Sequence, residues 1–161
     1  MDPWWLENCA CLTRFGDLNT GREHEMSLKL MIVDDSPDQR DLLRARFERI
    51  GCEVVAEARD AAEAVEMFLR LQPDLVTLDI IMSTQNGMDA LGAFRVMRSE
   101  APRTRIIIVS AVRKSKSAEM FMSEGAFALM EKPVTRAIFA ALHRKMAATF
   151  PEVRFSEFAV N

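Results

Sequence analysis

The sequence predicts an α/β fold in which five helices cover both faces of one parallel, doubly wound sheet of five strands. The first observation is an alternation: short apolar runs of strand-like composition are separated by longer segments with helical periodicity. The second is that Gly, Pro or a capping residue, which typically begin or end helices and strands, stands at most boundaries between the two kinds of segment. Strands that are separated by single helices pair in parallel through right-handed crossovers, so this alternation specifies helices on both sides of the sheet.

The predicted strands are short runs rich in Leu, Ile and Val, at residues 28–33, 53–57, 75–82, 105–110 and 127–131. The third run is the most informative. It follows Pro73-Asp74, is interrupted by the carboxylate of Asp79, and gives way to a polar loop ending in Asn86-Gly87. A run of this length between turn residues indicates a buried parallel strand rather than a helix.

The predicted helices begin at residues that can cap a first turn. Ser36 is predicted as the N-cap of the first helix, with Pro37 in its first turn and Gly51 at its end. Asp60 with Glu63 has the spacing of a capping box for the second helix. The remaining helices are predicted at about 88–99, at about 114–124 and from Thr135 onward.

Composition and charge limit the class of protein. Of 161 residues, 49% are hydrophobic and 28% are charged, as in an ordinary globular protein. The net charge of -3 provides no basic field for nucleic acid or an anionic membrane, and no apolar run approaches the roughly 20 residues of a spanning helix. Cys9, Cys11 and Cys52 form no disulfide framework. A soluble cytoplasmic protein without direct nucleic-acid or membrane partners is predicted.

The chain is expected to consist of a poorly ordered or loosely packed N-terminal extension, one folded domain and a C-terminal tail, at residues 1–27, 28–149 and 150–161. Cys9, Cys11 and His24 lie in the extension. A structural zinc site requires four ligands at defined spacing, so these three residues are not interpreted as metal ligands. The tail is interpreted as an end that packs locally or frays, with a docking segment for a partner as the alternative.

Polar groups follow four of the five predicted strands. They are Asp34 and Asp35 after the first strand, Asp79 after the third, Ser110 after the fourth and Lys132 after the fifth. In an open α/β sheet the carboxyl ends of parallel strands meet at one edge, where ligands bind. Each of these residues taken singly has an ordinary explanation as a turn former or a solvated side chain. Their coincidence at one edge favours a site.

The chemistry of this set indicates phosphoryl transfer. Three neighbouring carboxylates would raise one another's pKa unless a cation lies between them. Mg²⁺ suits such oxygen ligands, and it commonly binds phosphate oxygens as well. Asp79 is therefore the candidate nucleophile that forms an aspartyl phosphate. Asp35 is the candidate metal ligand, and Asp34 is expected to help hold the metal through the water molecules bound to it. Ser110 and Lys132 are the candidate donors to the phosphoryl oxygens.

With these roles assigned, the chain resembles the receiver domain of two-component response regulators, and in particular the stand-alone, chemotaxis-type regulators. The resemblance runs from about residue 28 to residue 149 and leaves both ends uncovered. It is carried by Val33-Asp34-Asp35-Ser36, Leu78-Asp79-Ile80-Ile81-Met82, Asn86-Gly87, Val109-Ser110-Ala111, Gly125-Ala126 and Lys132-Pro133.

The resemblance implies a flavodoxin-like fold with strand order 2-1-3-4-5. It implies phosphorylation of Asp79 by a sensor histidine kinase or a histidine phosphotransfer protein, and Mg²⁺ bound by Asp35, Asp79 and the main-chain carbonyl of Ile81. It also implies that an unidentified downstream protein reads the fourth helix, fifth strand and fifth helix. The expected function is a phosphorylation switch that catalyses only its own phosphorylation and dephosphorylation, and a homodimer is left open.

Several positions depart from the family pattern. Leu129 stands where the family usually has a Phe or Tyr that changes rotamer in the switch, and strand alternation predicts Phe127 on the same sheet face as Leu129. Ser83 replaces a usual proline and Asn86 a common aspartate; both are interpreted as tolerable loop changes.

The lifetime of a phosphoryl group on Asp79 is expected to be long. Ile81 and Val112 occupy the two family positions that flank the phosphoryl group, and neither side chain can orient an attacking water. We therefore predict slow self-dephosphorylation.

Two other functions compete with the switch. A phosphorylation-independent binding module that kept the site is favoured by Leu129. A phosphatase of the haloacid dehalogenase type would need D-x-D-x-T after its first strand, whereas this chain has Asp34-Asp35-Ser36-Pro37, so it ranks last.

Overall fold

The computed structural model describes residues 27–82, 87–111 and 116–158, and in these ranges five strands alternate with five helices. The strands are β1 (Lys29–Val33), β2 (Glu53–Ala58), β3 (Leu75–Asp79), β4 (Arg105–Ser110) and β5 (Ala128–Glu131). The helices are α1 (Pro37–Arg49), α2 (Ala61–Leu71), α3 (Ala90–Glu100), α4 (Lys116–Ser123) and α5 (Arg136–Thr149). The predictions made for Cys9, Cys11, His24, Ser83, Asn86 and Val112 lie outside the described residues.

All five strands form one parallel sheet in the order β2-β1-β3-β4-β5. The predicted fold class and strand order are therefore confirmed. β3 lies at the centre of the sheet, where both faces are covered by helices, and all five of its residues are buried. Its last residue, Asp79, pairs with Val109 of β4. This register brings the carboxyl end of the central strand level with the ends of its neighbours.

Helix α1 begins differently from the other capped helices. Asp60, Asp89 and Thr135 each accept a hydrogen bond from the main-chain N–H three residues later, as predicted for Asp60 and Thr135. Ser36 is the N-cap of α1 in position, but its side chain makes no capping bond. Instead the Oδ1 atom of Asp34 accepts a hydrogen bond from the Ser36 N–H at 3.0 Å. An aspartate of the predicted site therefore also shapes the turn into α1.

Each face of the sheet has its own hydrophobic core. On the face covered by α1 and α5, the rings of Phe47 and Phe139 meet edge to face at 5.0 Å. On the opposite face, Phe94 of α3 and Phe121 of α4 pack in the same way at 5.2 Å. These cores hold the strands from both sides and so fix the edge at which their carboxyl ends meet.

Residues 150–158 continue from α5 across the first of these cores. Val153 is buried, and the ring of Phe158 lies 4.9 Å from that of Phe139. The Ser156 N–H donates to the carbonyl of Ile50 at 3.1 Å, which ties this segment to the end of α1. The division of the chain into extension, domain and tail stays a prediction.

Candidate functional site

Three aspartates meet at the carboxyl edge of the sheet. Asp34 and Asp35 follow β1, Asp79 ends β3, and one carboxylate oxygen from each lies within 4.8 Å of the others. Asp34 and Asp79 are buried, whereas Asp35 is exposed. The convergence comes from topology, because β1 and β3 are neighbouring parallel strands. The acidic cluster predicted from the sequence is present.

Lys132 joins this cluster from the end of β5. Its Nζ atom donates to the Oδ2 atom of Asp79 at 2.7 Å and to the Oδ2 atom of Asp34 at 2.8 Å. Its main-chain N–H donates to the carbonyl of Ser110 at 2.8 Å, which joins the end of β5 to the end of β4. Residues that are far apart in sequence therefore share one hydrogen-bonded network.

The remaining oxygen of Asp79 is bound by its own loop. The Ile81 N–H donates to the Oδ1 atom of Asp79 at 2.9 Å, while the Ile81 side chain is 55% exposed. Ser110 is fully buried and lies one residue beyond Val109, the β4 partner of Asp79. The predicted residues are thus found at this one edge, with Asp34, Asp79 and Lys132 in direct contact.

Burial and hydrogen bonding oppose each other in setting the protonation of this network. Burial raises the pKa of the Asp79 carboxyl above its ordinary value, while the hydrogen bonds from Lys132 and from the Ile81 N–H lower it. Burial also acts to lower the pKa of the Lys132 ammonium, but its hydrogen bonds to Asp34 and Asp79 outweigh that effect and leave the pKa raised. Lys132 is therefore a cation at neutral pH and compensates part of the negative charge.

The donor set fits a hard divalent cation. Mg²⁺ prefers oxygen ligands and uses few carboxylates, keeping positions for water and phosphate oxygens. Asp34, Asp35 and Asp79 supply carboxylate oxygens close enough to share one ion. The exposed carboxylate of Asp35 leaves the cluster open to solvent on one side.

Arg40 is a residue of the site region that the sequence analysis missed. Its Nη1 atom donates to the main-chain carbonyl of Asp34 at 2.8 Å. A sequence signal existed, because Arg40 and Arg44 are four residues apart on α1 and lie beside its buried residues Leu43 and Phe47. The spacing alone does not reveal that one of the two arginines reaches a carbonyl at the end of β1.

A doubly wound α/β domain with three aspartates and a lysine at the carboxyl edge of its sheet belongs to the class of α/β domains that carry an acidic, metal-compatible site at that edge. Comparison with known proteins assigns the family. The chain belongs to the response regulator receiver domain family, whose profile, described as "Response regulator receiver domain", matches residues 30–143. Both the family and the flavodoxin-like fold implied by the sequence are confirmed.

Two curated relatives illustrate the family. The "Chemotaxis protein CheY" of Thermotoga maritima is 35% identical over 108 residues, which cover 67% of this chain and 88% of that protein. A "Protein-glutamate methylesterase/protein-glutamine glutaminase 5" of Myxococcus xanthus is 37% identical over 112 residues, which cover 68% of this chain. The match spans only 31% of the length of that methylesterase.

A solved relative shares the fold. The structure described as the CheX-CheY-BeF3-Mg²⁺ complex from Borrelia burgdorferi matches with a TM-score of 0.66 and 26% identity, over 76% of this chain and 89% of that one. Receiver domains act in two-component signalling, bind Mg²⁺ at an acidic site and are generally signalling modules rather than enzymes. Within the described ranges, no helix combines the length and the apolar character that crossing a membrane requires.

Proposed function

We propose that this receiver domain is a phosphorylation switch whose acceptor is Asp79. The phosphoryl donor is a phosphohistidine of a cytoplasmic sensor kinase or of a histidine phosphotransfer protein. A carboxylate oxygen of Asp79 attacks phosphorus, the P–N bond breaks, and the imidazole leaves with the bonding electron pair. The observation that carries this proposal is the 2.7 Å hydrogen bond between Lys132 Nζ and Asp79 Oδ2, because it aims a cation at the oxygen that would carry the phosphoryl group.

The neighbouring residues are assigned the remaining roles. Asp35, Asp79 and the main-chain carbonyl of Ile81 would hold Mg²⁺ directly, with Asp34 acting through its water shell. Bound there, Mg²⁺ would offset the negative charge of the carboxylates and of the incoming phosphoryl oxygens. Lys132 and the hydroxyl of Ser110 donate to those oxygens. The apolar side chain of Ile81 offers no group to orient an attacking water, so we retain the prediction of slow hydrolysis.

The output surface is proposed on the face that α4, β5 and α5 form together. An open groove of about 350 Å³ lies there, with Met122, Leu129, Ile138 and Leu142 among its lining residues. Met122 is 38% exposed, and its flexible thioether side chain suits an adaptable protein contact. The occupant that we propose is a downstream protein, and its binding would change with the phosphorylation of Asp79.

A phosphorylation-independent binding module is the second candidate, and Leu129 favours it. Leu129 is half-buried against the core on the α2, α3 and α4 side. The prediction that Phe127 shares this face is wrong, because Phe127 packs with Phe150 on the opposite side and Lys145 lies over its ring. Phe127 precedes the first residue of β5, so strand alternation does not apply to it. Phe127 therefore does not replace the missing aromatic of the switch.

Intact mass spectrometry after incubation with acetyl phosphate and Mg²⁺ tests the switch. The wild-type chain should gain one phosphoryl adduct, which Asp79→Asn should lose and Asp41→Asn should keep. Asp41 is the matched control, because it is an exposed aspartate of α1 outside the acidic cluster. An adduct of equal yield in Asp79→Asn would overturn the assignment. Decay of the labelled phosphoprotein within seconds would contradict slow hydrolysis.

Two further measurements separate the candidates. Millimolar Mg²⁺ should raise the melting temperature, since a ligand bound only by the native state stabilises it; no shift would count against the metal assignment. Once a partner has been captured, the switch requires its affinity to change on phosphorylation. A partner that binds wild type and Asp79→Asn equally, with or without phosphodonor, would favour the binding module.

A further inference from the structure

We propose that Arg40 is a positioning residue for the metal-binding loop, residues 34–36 between β1 and α1. Arg40 holds the main-chain carbonyl of Asp34 and thereby sets the directions in which the carboxylates of Asp34 and Asp35 point. This inference rests on the proposed function, because it assigns the loop a role in binding Mg²⁺. Arg40 itself contacts the main chain of the loop. It is neither one of the proposed Mg²⁺ ligands nor the proposed phosphoryl acceptor.

The guanidinium of Arg40 connects the loop to strand β2. Its Nη1 atom donates to the carbonyl of Asp34 at 2.8 Å, and its Nε atom donates to Oε2 of Glu57 at 3.3 Å. The side chains of Arg40 and Glu57 are 19% and 24% exposed, so water competes only in part for these bonds. A planar guanidinium can make both bonds at once because its donors point in different fixed directions, whereas an ammonium is a point charge.

Glu57 anchors Arg40 to strand β2 and is shared with a second arginine of α1. Its Oε1 atom accepts a hydrogen bond from Arg44 Nε at 2.8 Å, so two arginines one helical turn apart bind one carboxylate. Glu57 also lies on β2 opposite Ile32 of β1, just before β1 reaches Asp34. Glu57 therefore lies on the strand next to the one that leads into the loop, and Arg40 bonds to both Glu57 and the loop.

Arg40 completes the bonding of Asp34. The main-chain N–H of Asp34 donates to the carbonyl of Ala58 at 3.1 Å, and its two carboxylate oxygens accept bonds from the Ser36 N–H and from Lys132 Nζ. The carbonyl is the remaining polar group, and Arg40 is its donor. Asp35, which is exposed, follows directly on this fixed peptide. Loss of the guanidinium frees the peptide between Asp34 and Asp35 to rotate and so misdirects the ligand oxygens.

Arg44 provides a matched control. It lies on the same helix, binds the same Glu57 carboxylate and also contacts Glu48, so its removal disturbs the same surface network. Its hydrogen bonds are with glutamates of β2 and α1 rather than with the loop. A purely structural role of the network predicts equal effects of Arg40→Met and Arg44→Met. A positioning role predicts an effect on Mg²⁺ binding for Arg40→Met only.

Calorimetric titration of the full chain with MgCl₂ tests the proposal. Partners that orient metal ligands typically contribute 10- to 100-fold to metal affinity. We therefore expect Arg40→Met to raise the Mg²⁺ dissociation constant at least ~10-fold. Arg40→Lys should recover part of this loss, and Arg44→Met should stay within about twofold of wild type. The urea midpoint of each variant is measured in parallel. A positioning role predicts a loss of Mg²⁺ affinity that is larger than the loss of folding stability can explain.

The outcomes separate this inference from the proposed function. Equal Mg²⁺ affinity in wild type and Arg40→Met, or equal losses in Arg40→Met and Arg44→Met, overturns the role of Arg40 while leaving the metal site in place. A wild-type chain that binds no Mg²⁺ overturns the metal site and the role of Arg40 together. If Arg40→Met does not fold, Arg40→Lys decides: weaker Mg²⁺ binding at an unchanged urea midpoint supports the role, and unchanged binding overturns it.

Discussion

Replacement of Lys132 by methionine should destabilise the domain strongly in the absence of Mg²⁺. The Lys132 ammonium is bonded to Asp34 at 2.8 Å and to Asp79 at 2.7 Å, and these two side chains are only 0% and 3% exposed. Removal of one partner from a buried ion pair typically costs about 3–5 kcal/mol, because a charge is left buried without compensation. Since native domains are stable by only about 5–15 kcal/mol, this loss is a large fraction of the total.

The loss should also depend on pH, and the sign follows from the pKa of Asp79. Burial already raises that pKa above its ordinary value, and the bond from Lys132 opposes the rise. Without Lys132 the folded-state pKa rises further above the unfolded value. A raised folded-state pKa favours folding at low pH and loses that advantage as pH rises through it. We therefore expect the difference between wild type and Lys132→Met to be larger at pH 7.5 than at pH 5.

Urea unfolding at both pH values, with EDTA present, measures this effect. Lys29→Met is the control, because Lys29 is an exposed lysine at the start of β1; it should change the free energy of unfolding by less than about 0.5 kcal/mol. The double variant Lys132→Met/Asp79→Asn should regain much of the lost stability, since a neutral amide then replaces one of the two carboxylates that Lys132 bonds. If Lys132→Met matched wild type at pH 7.5, or if its deficit grew on acidification, our account of the network would be refuted.

Two other titratable residues lead to predictions on the α1 and α5 side of the sheet. Burial raises the pKa of the Cys52 thiol from 9.0 to about 12. The contribution of the buried thiol to stability is therefore complete below about pH 9 and is lost as pH rises toward 12. Between pH 8 and pH 10, wild type should lose about 1.4 kcal/mol more than Cys52→Ala in urea unfolding, and equal losses would contradict this. Burial, with a smaller effect of Arg144, lowers the pKa of His143, whose ring contacts Phe155 and Phe158. A lowered folded-state pKa gives stability that is present above the unfolded value of about 6.5 and is lost as pH falls below it. Wild type should therefore lose more stability than His143→Gln between pH 7 and pH 5, with faster amide exchange at Ser156, and parallel losses in the two proteins would exclude His143 as the cause.

The sequence was sufficient for the fold class and for the identity of the residues at the sheet edge. Strand β4 was predicted with the bounds that the structure has, because a continuous apolar run between turn residues is a local signal. The Asp60 cap was predicted for the same reason, since capping chemistry depends on residues three apart. Asp79 and Lys132 were assigned to one edge because parallel topology alone brings strand ends together. These inferences needed only neighbours in sequence and the rules of strand connection.

Only the tertiary structure decided which of these groups are in contact and which other residues, such as Arg40, bond to them. Lys132 bonds Asp34 and Asp79 across 98 and 53 residues of sequence, and no local pattern encodes those distances. Phe127 turned out on the α5 side, because the strand starts one residue later than the apolar run suggests. In the sequence, Arg40 is indistinguishable from an ordinary solvent-facing helical arginine. Its bonds to Glu57 of β2 and to the carbonyl of Asp34 become visible only when β1 and β2 are paired. Sequence patterns determine elements and their polar ends, whereas contacts between side chains depend on the register and packing of elements far apart in the chain.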